Sequence, residues 1–213
     1  VRDAIKRRAA LSGVDGFAGE IDGRLVRDVL GRYPLFSETD DPTRWSFDPT
    51  VLSDPDPVPA GHLRDEDGDT ERLRLPDPEP ESDRGRAIQS VRAAIVERVD
   101  AVATGPPIAF SGGIDSSILA ARLDGPLYVG GFEESHDIEA ARSAATLLDR
   151  ELRVVKFSHA DIERALPVVA EATGRTNPMD LQIALPLFLV SKAVAADGHE
   201  RLALGQGADE LFG

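Results

Sequence analysis

A short segment at residues 111–117, with the sequence SGGIDSS, combines two glycines, three hydroxyl groups and one carboxylate. It lies between two apolar runs, residues 108–110 and 118–121, which favour a strand before it and a helix after it. N–H groups at the start of a helix carry partial positive charge, and glycine lets the backbone approach a ligand closely. We therefore predict that this segment, the glycine loop, binds an anion such as phosphate through Ser111, Gly112, Gly113, Ser116 and Ser117.

Asp115 is the acidic residue of the glycine loop. A carboxylate repels a phosphate group unless a cation lies between them. Mg²⁺ bridges carboxylate and phosphate oxygens and so removes this repulsion. We predict that Asp115 binds Mg²⁺.

The glycine loop lacks the Gly-Lys-Ser/Thr sequence of a P-loop and the glycine spacing of a dinucleotide fingerprint. It instead resembles the Ser-Gly-Gly-x-Asp-Ser pyrophosphate loop of the ATP pyrophosphatase superfamily. This resemblance implies an enzyme that cuts ATP between its α and β phosphates and adenylates an acceptor. ATP and Mg²⁺ would be its cofactors, and Ser111 and Asp115 catalytic residues. The alternative is a tight strand-to-helix turn that binds no ligand.

A second glycine-rich segment, GQGADELFG at residues 205–213, follows the apolar residues 202–204. It resembles the Gly-Glu/Gln-Gly-Ser/Ala-Asp-Glu-x-Phe-Gly motif of the asparagine synthetases and their β-lactam synthetase relatives. The resemblance implies that Asp209 is a second catalytic carboxylate and a second ligand of Mg²⁺. Two carboxylates beside one pyrophosphate group are stable only with a metal ion between them.

Residues 128–132 and 135–142 resemble the second strand of this family and the helix that follows it. The resemblance implies that Gly130 lies under the adenine and that Phe110, Leu204 and Gly205 supply other nucleotide contacts, partly through the backbone. Asp137 is either part of that motif or a helix N-cap, and capping preference favours the N-cap.

Two glutamines depart from the pattern of the family. Gln182 stands where an Arg can hold the carboxylate of aspartate, and an amide makes a weaker, uncharged contact there. Gln206 replaces a Glu found in many members, and an amide cannot accept a proton at neutral pH. We therefore leave the acceptor open, with aspartate or an analogue as the family expectation. The relatives also continue beyond Gly213 with helices that carry a catalytic Lys.

The first 63 residues show a further resemblance. Residues 28–36 and 58–63 are similar to two stretches of the glutamine amidotransferase domain of these enzymes. That domain hydrolyses glutamine with a cysteine, and this chain has no cysteine. We predict a remnant of that domain without glutaminase activity, so that ammonia comes from solution, a separate glutaminase or a missing segment. Unrelated loops with chance matches are the alternative.

The elements that would position these residues alternate along the chain. Apolar residues at spacings of three and four predict a helix that begins after Ser82 or Asp83 and ends before Gly105. Strands are predicted near 107–110, 127–132, 152–157 and 201–204, and helices near 115–123, 136–149, 160–172 and 180–196. This order predicts an α/β fold with a parallel sheet and helices on both faces, similar to adenine nucleotide alpha hydrolases. We predict three regions: a small β-rich segment at 1–63, a charged Pro-rich linker at 64–84, and the ATP pyrophosphatase domain at 85–213.

The net charge of the chain is −14, from 38 acidic and 24 basic residues. Such a surface repels the phosphate backbone, so we expect no binding to nucleic acid. Three of the basic residues are lysines, and this acidic, Arg-rich usage resembles that of halophile proteins. The sequence shows no 18-residue apolar run and no signal peptide, so we expect a cytoplasmic protein without membrane contact. An oligomer is compatible with the sequence.

Three functions follow from these patterns. The first is an ATP-dependent amide ligase of the asparagine synthetase type, with ATP, an acceptor carboxylate and ammonia as substrates. The second is another adenylase of the superfamily, in tRNA modification or NAD synthesis. The third is a nucleotide-binding remnant without turnover.

Overall fold

The computed structural model describes residues 1–9, 16–77, 79–102 and 105–207. The chain divides into two compact units, Val1–Pro80 and Glu81–Gly213. The first unit contains the β-rich segment, and the second contains both glycine-rich segments.

The first unit consists mainly of short antiparallel strands. Its four-stranded sheet has the order β1-β2-β6-β7, and its three-stranded sheet has the order β4-β3-β5. The elements are α1 (Arg2–Arg7), β1 (Ala18–Ile21), β2 (Arg24–Arg27), β3 (Phe36–Glu38), β4 (Asp41–Ser46), a 3₁₀ helix (Pro49–Val51), β5 (Pro55–Pro57), β6 (His62–Asp65) and β7 (Gly68–Glu71).

Neighbouring apolar residues of β2 are buried in different clusters. Leu25 packs with Leu35 and Val58, whereas Val26 packs with Leu63 and Leu73. Successive side chains of a strand point to opposite faces, so one strand contributes to two small cores. This packing stabilises the predicted β-rich segment at the beginning of the chain.

The first part of the region predicted as a linker, residues 64–84, is not a linker in the structure. It contains the end of β6 and all of β7, which ends at residue 71. The two strands form a hairpin in which Asp65 is opposite Gly68, and Gly68 has φ +107°. Charged side chains of this hairpin form ion pairs within the unit. The Arg64 guanidinium lies 2.7 Å from carboxylate oxygens of both Asp56 and Asp69. A charge-rich sequence can thus form strands when its acidic and basic side chains form ion pairs.

The second unit alternates helices and parallel strands. Its elements are α2 (Arg84–Asp100), β8 (Ile108–Ala109), α3 (Ile114–Ala120), β9 (Leu127–Gly131), α4 (His136–Leu147), β10 (Leu152–Lys156), α5 (His159–Thr173) and α6 (Pro178–Ala196). The sheet has the order β10-β9-β8, and Ala203 forms a parallel bridge to Ile108 at the β8 edge. The predicted α/β fold with a parallel sheet is confirmed.

Helices cover both faces of this sheet. The apolar side chains of β9 point alternately to the two faces and pack against helices on each. Leu127 and Val129 pack in a cluster with residues of α2 and α4. Tyr128, between them, packs with Val190 and Val194 of α6 on the opposite face. α5 lies against α6. The prediction of helices on both faces is therefore also confirmed.

α6 is apolar along most of its length. Within the described part of the chain, it is the one helix long and apolar enough, by length and composition, to cross a membrane. This helix packs on the sheet through Val190 and Val194. Asn177 begins this helix by accepting a hydrogen bond from the Asp180 N–H at 2.9 Å.

Candidate active site

The glycine loop connects β8 to α3 and is held by its own hydroxyl groups. The Ser116 hydroxyl donates to the Gly113 carbonyl at 3.1 Å, and the Gly113 N–H donates to Ser111 Oγ at 3.3 Å. The two hydroxyl oxygens of Ser111 and Ser116 are 3.3 Å apart. These contacts hold two of the predicted anion-binding hydroxyl groups together at the end of β8.

Gly112 allows the loop to lie directly against α4. Its φ is +79°, a conformation that L side chains rarely adopt. A Cβ at this position would lie 2.8 Å from the Ala140 carbonyl oxygen. Both the conformation and the space at residue 112 thus require glycine.

The chain before the second glycine-rich segment runs beside β8. The Ala109 N–H donates to the Ala203 carbonyl at 2.9 Å, and the Ala203 N–H donates to the Pro107 carbonyl at 2.8 Å. Gly205 then lies against the start of α3, where an added Cβ would be 2.9 Å from Asp115 Cβ. The structure therefore brings the beginning of the second segment to Asp115. Asp209 lies outside the described residues.

A cleft of about 290 Å³ lies between the glycine loop, the end of β9 and α6. Seven of the predicted site residues line it: Phe110, Ser111, Asp115, Ser116, Gly130, Leu204 and Gly205. Gly112, Gly113 and Ser117 belong to the same loop and helix start but are not among the residues that line the cleft. The other lining residues are Ala109, Tyr128, Val129, Asp137, Pro186, Leu187, Val190 and Gln206.

Asp137 is not the N-cap that capping preference favours. Ser135 occupies the N-cap position of α4, with extended backbone angles, and Asp137 lies in the first helical turn. There Asp137 lines the cleft together with Asp115. The helix begins two residues earlier than the N-cap assignment requires, so the Asp137 carboxylate is available to the cleft.

Gly130 brings α6 and the residue after β10 close to β9. A Cβ on Gly130 would lie 2.3 Å from Phe157 Cζ and 2.6 Å from Val190 Cγ2. Phe157 and Val190 therefore occupy the space that a side chain at residue 130 would fill. Pro186, Leu187 and Val190 of α6 also lie in this wall and were not among the predicted site residues. The sequence predicted that these residues lie in a helix. It did not predict which strand of the sheet that helix would pack against.

Tyr128 joins the cleft to the end of α6. Its hydroxyl donates to Asp197 Oδ2 at 2.5 Å, and Arg153 donates to both of these oxygens at 2.8 Å. Burial raises the pKa of the Tyr128 hydroxyl, and its hydrogen bond to Asp197 adds to this rise. The same hydrogen bond, followed by that from Arg153, lowers the pKa of Asp197. Since Asp197 is the C-cap of α6, this network fixes the helix beside the sheet.

The charged groups that line the cleft are acidic. Asp115 and Asp137 are the charged residues among its lining residues in the described part of the chain. No group of three or more potential metal ligands occurs among the described residues. Mg²⁺ commonly uses one or two carboxylates together with phosphate oxygens and water, so a carboxylate beside the glycine loop fits this ion.

Gln182 and Gln206 differ in their position. Gln206 lines the cleft beside Gly205, whereas Gln182 lies on the exposed surface of α6. Within the described residues, the cleft wall therefore contains one of the two glutamines that depart from the family pattern.

Comparison with known proteins agrees with this arrangement. Residues 89–213, more than half of the chain, match the family model for asparagine synthase. The chain belongs to the asparagine synthase family. The match includes the glycine loop, the cleft-lining residues of α6 and the second glycine-rich segment. The family resemblance predicted from these motifs is confirmed.

Curated asparagine synthetases share part of their sequence with this chain. A putative glutamine-hydrolysing asparagine synthetase of Methanocaldococcus jannaschii is 36% identical over 107 residues, which cover 48% of this chain and 20% of that protein. The nodule enzyme of Pisum sativum is 26% identical over 123 residues, which cover 50% of this chain and 21% of that protein. The chain thus matches about a fifth of the length of these relatives.

Two solved structures are similar in part. An NH3-dependent NAD synthetase from Campylobacter jejuni has a TM-score of 0.34 and 17% identity, over 55% of this chain and 54% of that one. A predicted subunit of tRNA methyltransferase from M. jannaschii has a TM-score of 0.31 and 23% identity, over 47% of this chain and 51% of that one.

Proposed function

We propose that this member of the asparagine synthase family activates an acceptor carboxylate with ATP and converts it to an amide with ammonia. The observation that carries the proposal is the meeting of the glycine loop and Gly205 at Asp115, inside one cleft. A phosphate-binding loop, a carboxylate and an apolar wall are the parts that a nucleotide site needs.

The first step forms an acyl-adenylate. An oxygen of the acceptor carboxylate attacks the α-phosphorus of ATP, the bond between that phosphorus and the α–β bridging oxygen breaks, and pyrophosphate leaves with the electron pair. The N–H groups of the glycine loop and the hydroxyls of Ser111, Ser116 and Ser117 stabilise the charge that develops on pyrophosphate. Donors fixed before the reaction stabilise such charge without a reorganisation cost.

The second step forms the amide. The nitrogen of ammonia attacks the acyl carbon, the bond from that carbon to the phosphate oxygen breaks, and AMP leaves. The nitrogen gives up its extra proton to solvent. In this proposal ammonia enters as a substrate. We also propose that residues 1–63 are an amidotransferase-like remnant. A separate glutaminase or a further segment would supply the ammonia.

Asp115 is the described residue best placed to hold Mg²⁺, with Asp209 as the second ligand in the proposal. When bound, this ion would neutralise part of the charge on the leaving pyrophosphate. Phe110, Gly130, Leu204 and Gly205 would contact the nucleoside part of ATP, partly through the backbone.

The acidic surface supports small-molecule substrates rather than nucleic acid, since phosphate backbones are repelled by a net charge of −14. We propose a cytoplasmic enzyme, adapted to a salt-rich cytoplasm, that acts without membrane contact.

The substitution Asp115→Asn tests this function. We expect pyrophosphate release with ATP, Mg²⁺, ammonia and a panel of carboxylic acids to fall by about a hundredfold or more, because a charge-stabilising contact of the transition state is lost. Asp149→Asn is the matched control, because it removes the same charge from an exposed turn with φ +53°, where asparagine is well tolerated.

Unchanged pyrophosphate release in Asp115→Asn would contradict the proposal. ATP binding to the wild-type chain without acceptor-dependent release would favour a nucleotide-binding remnant instead. Calorimetry with ATP and an enzyme-coupled pyrophosphate assay separate these results.

A further inference from the structure

The glycine loop is continuous with α3, a helix of two turns. The Ser117 N–H donates to the Gly113 carbonyl at 3.0 Å, and the Ala121 N–H donates to the Ser117 carbonyl at 2.9 Å. These bonds connect the loop to the last turn of the helix. At 1.5 Å per residue, the seven residues of α3 span about 10 Å. The position of the glycine loop therefore depends on how both ends of α3 are held.

The end of α3 is held by Arg150, which lies between α4 and β10. Its guanidinium donates hydrogen bonds to three backbone carbonyls, those of Ala120 at 2.6 Å, Leu123 at 2.9 Å and Gly125 at 2.5 Å. Ala120 is the last residue of α3, and the other two belong to the turn that leads to β9. A cation at the last carbonyls of a helix also interacts favourably with the helix dipole. The Arg150 side chain thus caps α3 and the turn after it.

The main chain of Arg150 is fixed to the end of α4. Its N–H donates to the Ala145 carbonyl at 3.0 Å, and the residue before it, Asp149, has φ +53°. α4 itself ends at Leu147. Arg150 therefore links the end of α4 to the end of α3, at the edge of the sheet where β9 and β10 begin.

The other end of α3 is held against α4 by the glycine loop. A Cβ on Gly112 would lie 2.8 Å from the Ala140 carbonyl oxygen and 3.1 Å from Ala141 Cα. Between this contact and the guanidinium, Ala120, Ala141 and Ala145 are buried in one cluster. The position of α3 along α4 is thus set at two points, by the glycine loop at one end and by the guanidinium at the other.

Two side chains of the cleft depend on the position of α3. Asp115 and Ser116 belong to this helix and line the cleft. Gly205 lies directly against them, since its added Cβ would be 2.9 Å from Asp115 Cβ and 3.0 Å from the Ser116 nitrogen. A shift of α3 along α4 would move both side chains relative to Gly205. Binding sites lose affinity when their groups move by more than about 0.5 Å.

We infer that Arg150 is a positioning residue of the nucleotide cleft, on which it acts from the opposite edge of the sheet. It fixes the end of α3 and so sets where the glycine loop and Asp115 lie. The inference rests on the proposed function, because ATP is the ligand that the loop is proposed to bind. A cap that only stabilised the fold would leave the ATP affinity of the folded protein unchanged.

Calorimetry with the full 213-residue chain, Mg²⁺ and α,β-methylene ATP tests the inference. This analogue cannot be cut between the α and β phosphates, so the test does not require turnover. Arg150→Met keeps the apolar stem of the side chain and removes its donors. We expect the folded variant to bind the analogue about tenfold more weakly, because the groups of α3 are displaced. Arg150→Lys should lie between Arg150→Met and wild type, since an ammonium group keeps the charge but not the planar fork of donors.

Arg122→Met is the matched control. Arg122 lies in the same turn after α3, and its guanidinium pairs with Asp100 at the end of α2. Both side chains of this ion pair are exposed, so its loss should cost little. We expect the affinity for α,β-methylene ATP to change by less than about twofold.

Hydrogen exchange measures the hold on α3 without any nucleotide. The amides of Ser117 and Ala121 close the bonds that connect the loop to the helix end. Exchange in the peptide 111–121 should be about tenfold faster in Arg150→Met than in wild type, because the helix end opens more often without its cap. Exchange in α6 should not change. Urea unfolding and circular dichroism check that each variant is folded during these measurements.

A folded Arg150→Met that binds α,β-methylene ATP as tightly as wild type would overturn the inference while the proposed function stands. Equal weakening in Arg122→Met would overturn it as well, because any change at that turn would then suffice. If Arg150→Met does not fold, Arg150→Lys decides, and wild-type affinity together with wild-type exchange would overturn the inference. Failure of the wild-type protein to bind the analogue would instead contradict the proposed function, and this inference with it.

Discussion

The cleft of the second unit has one wall made by the glycine loop and the start of α3, and another made by α6. The first wall presents the polar residues Ser111, Asp115 and Ser116. The second presents Pro186, Leu187 and Val190. One wall is therefore polar and built from consecutive residues, and the other is apolar and built by packing between distant elements.

This difference shows how the two walls are maintained. The polar wall depends on backbone conformation at single residues, above all at Gly112 with φ +79°. The apolar wall depends on close approach between α6 and β9, which Gly130 permits and the Tyr128 network holds in place. Substitutions should damage the two walls in separable ways.

Breaking the polar wall should have the largest effect. Gly112→Ala places a Cβ 2.8 Å from the Ala140 carbonyl oxygen and requires a left-handed conformation. We expect a loss of about 2–4 kcal/mol in the free energy of unfolding, from strain and overpacking together. ATP affinity should fall as well, because the loop must move.

Gly113→Ala is the control within the same loop. Gly113 has φ −72°, and its added Cβ would meet Ser111 Oγ at 3.4 Å, an ordinary contact. Urea unfolding and calorimetric ATP binding should differ clearly between the two variants. Equal behaviour would show that residue 112 does not set the polar wall.

Crowding the apolar wall should have the next largest effect. Gly130→Ala forces Phe157 and Val190 away, since their nearest atoms would lie 2.3 and 2.6 Å from the new Cβ. We expect a cost of about 1–3 kcal/mol in unfolding free energy. The double variant Gly130→Ala with Phe157→Leu should recover part of this loss. If it recovers none, another contact limits the approach of α6.

Loosening the end of α6 should have the smallest effect. Tyr128→Phe keeps the aromatic ring but removes the hydroxyl that donates to Asp197, and Arg153 still pairs with Asp197 at 2.8 Å. The expected loss is about 1 kcal/mol in unfolding free energy. Tyr33→Phe, at a half-exposed tyrosine of the first unit, is the control for the loss of a hydroxyl.

The pH dependence of stability gives a second measurement on Tyr128→Phe. Because the pKa of Tyr128 is raised above its ordinary value of 10.0, the folded state keeps a proton that the unfolded state releases. Stability should therefore fall as the pH rises above 10. Urea titrations at several pH values should show a steeper fall in the wild-type protein than in Tyr128→Phe. Equal slopes would mean that this hydroxyl does not titrate differently on unfolding.

The polar wall was largely predictable from the sequence, because it consists of neighbouring residues. Two glycines and three serines between apolar runs indicate a strand, a turn and a helix start, and the order of elements after them indicates a parallel sheet. The first part of the predicted linker, up to residue 71, instead lies in the hairpin of β6 and β7, where Arg64 pairs with Asp69. The N-cap assignment of Asp137 was wrong, because capping preference does not fix where a helix begins.

The sequence alone determined the glycine loop, the alternation of strands and helices, and the family, because these depend on residue type and short-range spacing. Only the tertiary structure decided that Gly130 faces Val190 and Phe157, that Asp137 reaches the cleft, and that Pro186 and Leu187 form its apolar wall. These positions depend on contacts between residues far apart in the chain. Their packing is set by how α6 lies on the sheet, which no local pattern specifies.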